Sequence, residues 1–141
     1  MERRRWLVRS TLAVGLLVLG GLGWFYALGD WGRVRSILKV AWLPTSVREI
    51  TCKDDSWTDT SVTCYFAIDP SDFPKLLTGL AFKEGTRTGH TNVLGKWPGV
   101  GPDFEMTTEF FVALKEYKNG GHVMVLTDSE RRHVIVDLYI E

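Results

Sequence analysis

The stretch FVALKEYKNGGHVMVLTDSERRHVIVDLY, residues 111–139, alternates apolar and polar positions around two turn signals. Successive strand side chains point to opposite faces, so alternation of this kind marks half-buried strands. Asn119-Gly120 is the favoured pair for a two-residue type I′ hairpin turn. Closed there, the hairpin sets Leu114 opposite Val125 and Val112 opposite Thr127. A second turn at Asp128-Ser129-Glu130-Arg131 sets Val125 opposite Val134 and Val123 opposite Val136. Assigned separately, the two turns select the same apolar face: Val112, Leu114, Val123, Val125, Val134, Val136 and Leu138. Such agreement between local choices is expected of a foldable sequence, and it predicts a three-stranded meander. The opposite face is mixed, with Phe111, Met124, Leu126, Ile135 and Tyr139 among Lys115, His122, His133 and Asp137. It is expected to be partly covered or to offer an apolar patch to a partner.

Upstream, Ile50 and Cys52 share one face of a short strand, and Val62, Cys64, Phe66 and Ile68 share one face of the next. Placing Cys52 opposite Cys64 in a hairpin sets Ile50 opposite Phe66, so bridge and hydrophobic pattern demand the same register. The two cysteines are predicted to form a disulfide, because an even pair at hairpin spacing in an exported domain is normally bridged. The hairpin tip from Asp54 to Asp59 carries three carboxylates but lacks the glycine and terminal glutamate of a calcium loop, and reads as a solvated turn. A helix is expected from Asp69 as N-cap, through Pro70, to a stop at Gly79, with Phe73, Leu76, Leu77 and Leu80 as its apolar stripe.

The N-terminal end has a different character. Ser10 to Gly29 holds no charge, and Arg3, Arg4, Arg5 and Arg9 precede it. Twenty helical residues span about 30 Å, the thickness of a bilayer's hydrocarbon core. Trp6 marks one end and Trp24, Tyr26 and Trp31 the other, where aromatic rings collect at membrane interfaces. The arginines predict a cytoplasmic N-terminus. Small residues at Ala27-Leu28-Gly29 raise signal cleavage after Gly29 as the alternative, whereas the length of the apolar run and the bulky residues before that site favour a retained anchor. After it, Trp31, Val34, Ile37, Leu38, Ala41 and Trp42 recur at helical spacing with Arg33, Arg35 and Lys39 between them, predicting an amphipathic helix that stops before Pro44. Its apolar face suits the membrane interface or the folded domain; proximity to the bilayer favours the interface.

The organisation expected is therefore a basic cytoplasmic N-terminus (1–9), a transmembrane signal-anchor helix (10–29), an amphipathic juxtamembrane helix (30–44) and an extracytoplasmic α+β domain (45–141). The domain is expected to be an antiparallel sheet in the order β-β-α-β-β-β with one helix packed on a face.

Seventeen basic residues balance seventeen acidic ones, which gives no reason to expect a nucleic-acid partner. Nucleophile-elbow, zincin, phosphate-loop and dinucleotide motifs do not occur, so neither catalysis nor a cofactor is expected. The spacing of His90, His122 and His133 predicts no metal site, although His122 and His133 fall on neighbouring strands near Asp137. One segment is out of proportion. Lys83 to Asp103 reads as a long loop carrying five glycines, two prolines, Arg87, His90, Lys96 and Trp97. Loops above about 12–15 residues in compact domains are usually functional or disordered, and Trp and Arg are the residue types that anchor interfaces. Arg87, His90, Lys96 and Trp97 are the candidate binding residues, with Trp97 as a plug in the core the competing view. The function expected is that of a single-pass membrane protein whose small exported domain, periplasmic or at the cell surface, binds another envelope protein; a released binding or inhibitor domain is the alternative.

Overall fold

The computed structural model describes residues 29–55, 58–91 and 99–141. The N-terminus and residues 10–28 lie outside the described residues, as do Lys96 and Trp97. Helix α1 (Asp30–Leu38) comes first, followed by β1 (Arg48–Asp55), β2 (Thr60–Ala67), the single-turn α2 (Phe73–Leu76), β3 (Lys83–His90), β4 (Glu105–Ala113), β5 (Gly121–Thr127) and β6 (His133–Ile140). The strands form one antiparallel sheet in the order β1-β2-β6-β5-β4-β3, and the architecture is α+β.

Pleating splits the sheet into two faces. On the core face, Cys52, Cys64, Val136, Val125, Phe110 and Glu84 form a row across all six strands, each opposite the next. Val34, Ile37 and Leu38 of α1 pack onto this face with Leu43, Val47, Phe73 and Leu76. Full burial of one such side chain contributes about 1.5–3 kcal/mol. At the β3 end of the row Arg131 lies over the rings of Phe73 and Phe110 and pairs with Glu84 at 3.6 Å. The Cys52–Cys64 disulfide forms as expected, and Cys64 is fully buried.

The meander keeps its expected faces with different registers. Val112 is opposite Val123 and Phe110 opposite Val125, four residues from the two-residue-turn register. A type I′ turn needs both central residues at positive φ. Gly120 has φ 114, but Asn119 is not among the left-handed residues. The chain instead closes through a longer loop in which the Leu114 amide donates to Gly121 and the Gly120 amide to Tyr117. The β5–β6 connection is also longer, with Arg131 left-handed at φ 58 and the Asp128 carboxylate accepting the amides of Arg132 and His133. Val125 therefore pairs with Val136 instead of Val134. Both displacements are even, so no side chain changes face. In β1 the Cys52–Cys64 pairing holds, but a bulge at Glu49 (φ 59) shifts the register between Arg48 and Thr51.

Three elements depart from expectation. Lys83–His90 is a strand and not part of a loop, giving six strands where five were predicted. Every residue of β3 is exposed, so no alternation of burial marked it. Its pairing with β4 makes it a strand, and Gly89 (φ 139) bulges the ladder. Helix α2 is one turn instead of a run from Pro70 to Gly79, because Pro74 has no amide to bond back to Pro70. Helix α1 ends at Leu38, not before Pro44. Lys39 takes the left-handed position (φ 53), and the amides of Lys39 and Val40 donate to Ser36 and Arg35, a Schellman-type stop. The apolar face of α1 is occupied by the domain's own core, against the interfacial packing expected of it. Gly79 serves this packing, since a Cβ there would collide with the carbonyls of Leu38 and Lys39.

Candidate interaction surface on the second face of the sheet

The second face is divided. One row, Thr51–Tyr65–Ile135–Leu126–Glu109–Gly85, crosses all six strands, and its centre packs in one buried cluster with Val100 and Phe104 from the loop and Met106 of β4. Residues 99–104 lie directly on the sheet: Gly101, at φ 70, is so close to the Tyr65 ring that a Cβ would sit 2.6 Å from Cδ1. The Tyr65 hydroxyl and His133 Nδ1 share a hydrogen bond of 2.9 Å, and the His133 ring stacks on Tyr65 and Phe104. Burial, followed by the nearby Glu49 carboxylate, raises the Tyr65 pKa. Thr91 fastens the segment, donating its amide to the Phe104 carbonyl and accepting the Phe104 amide on its hydroxyl.

Beyond Tyr65 two further rows begin. Lys53–Thr63–Asp137–Met124–Phe111–Lys83 spans the sheet with a lysine at each end. Behind it runs Asp55–Ser61–Tyr139–His122–Ala113. Asp137 is 5% exposed and Thr63 4%, and the Thr63 hydroxyl donates to Asp137 Oδ1 at 2.6 Å. The His122 imidazole stands with Nε2 3.8 Å from Asp137 Oδ2, its ring against Phe111 at 5.3 Å and Tyr139 at 5.5 Å. The Tyr139 hydroxyl donates to Asp59 Oδ2 at 3.0 Å, and that bond raises its pKa. Phe111 keeps more than a third of its surface exposed.

Threonine, aspartate and histidine together invite comparison with a catalytic triad, but the connectivity differs. A hydroxyl nucleophile must be hydrogen-bonded to the imidazole that takes its proton. Here the Thr63 hydroxyl donates to the carboxylate instead. Among the described residues no three His, Cys, Asp or Glu side chains converge to hold a metal ion. In these rows Thr63, Asp137 and Met124 are buried; Phe111 is exposed, His122 and Tyr139 are half-buried beside it, and exposed Lys53 and Lys83 close the ends.

The candidate binding residues are only partly placed. Arg87 and His90 lie on the edge strand β3, where Arg87 pairs with Glu109 at 2.8 Å and His90 Nδ1 is 3.2 Å from Asp103 Oδ2. The two histidines expected near Asp137 separate: His122 is beside it, and His133 lies with Tyr65 under the 99–104 segment. The hairpin-tip acids also have partners, Asp54 with Arg33 at 3.1 Å and Asp59 with Tyr139. Thr63 as a partner of Asp137 depends on the β2–β6 pairing, which joins strands 74 residues apart and has no local signal. No family model matches this chain, and comparison with curated proteins and with solved structures finds no match.

Proposed function

We propose that this is a single-pass membrane protein whose extracytoplasmic domain binds another envelope protein, through exposed Phe111 with its half-buried neighbours His122 and Tyr139 and through the β3 edge. The observation that carries the proposal is the uncharged Ser10–Gly29 run behind four arginines, followed without a linker by a disulfide-bridged domain. Among the described residues no helix is long and apolar enough to cross a membrane, and the anchor is assigned to the 10–29 run, which lies outside them up to Leu28. Exposed Phe111 beside His122 and Tyr139 supplies the aromatic content typical of interface cores. Phe111 meets the β3 edge at Lys83, Arg87 and His90 stand four and seven residues further along that edge, and Lys96 and Trp97 follow in the same segment of chain.

The test is recovery of partners from detergent-solubilised membranes with the intact protein as bait, comparing wild type with Phe111→Ser and Trp97→Ala. Loss of the same co-purifying protein in either variant, at unchanged melting temperature, supports the proposal. Retention in both defeats the assignment of this surface. Ala27-Leu28-Gly29 supports a second reading, a domain released by cleavage after Gly29. A mature protein beginning at Asp30 in the soluble fraction would establish that form.

A further inference from the structure

We infer that the domain is seated directly on the bilayer by its α1 layer, with the Trp42 side chain in the lipid interface; this rests on the anchor proposed above. Trp42 is 81% exposed, about twice the fraction of any other exposed large apolar side chain among the described residues. It is not on a loose segment. Leu38 before it and Leu43 after it are buried in the core, so the chain holds the indole outward between two fixed points. Trp31, near the start of α1, is also more than one-third exposed. An indole gains from the membrane–water interface, where its apolar ring and its N–H are both satisfied.

In sequence the uncharged run and α1 are directly adjacent. The uncharged run ends at Gly29, whose carbonyl already accepts the Arg33 amide inside α1. Asp30 accepts the backbone amide of Cys52, and Arg33 pairs with Asp54, so the first turn of α1 is tied to β1. With no linker, the surface around α1 is held near the lipid. Nine helical residues rise about 14 Å and the next four reach at most about 14 Å, so Trp42 starts within about 28 Å of the anchor's end. The exposed cations of the layer are unequally committed. Arg33 pairs with Asp30 and Asp54, and Lys39 with Glu116, whereas Arg35 has no ion pair among the described residues and is placed for lipid phosphates. The apolar stripe of α1 does not take part, because it is buried in the core.

The test uses the full-length chain in lipid nanodiscs containing either ordinary or brominated acyl chains. Two variants each retain one tryptophan, Trp42 or Trp24, with the other five replaced by phenylalanine. Trp24 reports on the anchor. The expected result is blue-shifted emission from both variants and loss of that emission in brominated lipid. If Trp24 is quenched while Trp42 emits as in water and is unquenched, the seating is wrong and the anchor stands. If neither is quenched, the anchor fails and the seating with it. Blue-shifted but unquenched Trp42 would mean that protein covers it, which also overturns the inference. Should the multiply substituted chains not fold, Trp42→Phe in the otherwise native chain serves instead. The fraction of emission lost in brominated lipid should fall relative to wild type; an unchanged or larger fraction refutes the seating.

Discussion

Replacing Thr63 with valine removes a hydroxyl and almost nothing else, and it tests whether the centre of the second face is a committed polar pair. Thr63 and Asp137 are directly opposite on β2 and β6, both almost wholly buried, with the hydroxyl donating at 2.6 Å. Valine keeps the shape and the β-branching that suits a strand. A hydrogen bond to a charged group contributes about 1.5–3 kcal/mol, and among the described residues the carboxylate left behind has only His122, at 3.8 Å, to replace it. Thr63→Val should therefore destabilise by about 2 kcal/mol, shifting the urea midpoint by about 1 M at an m-value near 2 kcal/mol/M. Asp137→Val leaves the Thr63 hydroxyl without its acceptor and should destabilise by about 1–3 kcal/mol. The double variant places two valines face to face across the strands and should lose less than the sum, with a coupling of about 1.5 kcal/mol or more. Urea titration of the full chain in mild detergent, followed by near-ultraviolet circular dichroism, measures all three. Strict additivity, or a Thr63→Val midpoint equal to wild type, would show that water already serves the carboxylate.

Three further outcomes are expected. Alkylation of protein from its native compartment should reveal two thiols only after reduction, and Cys52→Ala/Cys64→Ala should lose about 3 kcal/mol for the twelve-residue separation the bridge closes. Val125→Asp should abolish folding, because Val125 is fully buried on the core face between Val136 and Phe110, whereas Lys115→Asp, in the exposed β4–β5 loop, should melt close to wild type; equal loss in both would contradict the facing. Tyr139 should titrate above an ordinary tyrosine in ultraviolet difference spectra, because its hydroxyl donates to Asp59. A raised folded-state value makes this contribution complete below about pH 10 and lost as pH rises through the folded value. Asp59→Ala should bring the midpoint down, and no change would dismiss the bond.

Sequence alone determined the features that depend on neighbours a few residues apart. Alternation over 111–139 assigned Val123, Val125, Val134 and Val136 to one face, and even-numbered errors in loop length could not move them off it. Cys52 and Cys64 identified their own pairing because bridge and hydrophobic pattern asked for one register. Tertiary structure alone decided whatever joins distant segments. β3 has no apolar pattern and becomes a strand only because β4 offers an unpaired edge. The apolar stripe of α1 suited lipid and core equally on periodicity, and the core took it because the sheet presents a complementary apolar face. Thr63 meets Asp137 only once β2 closes on β6. The amphipathic pattern of 31–42 was legible, but which of its tryptophans faces outward was not. Trp42 is displayed because a left-handed Lys39 ends the helix three residues before it, and a lysine in that conformation leaves no mark in the sequence.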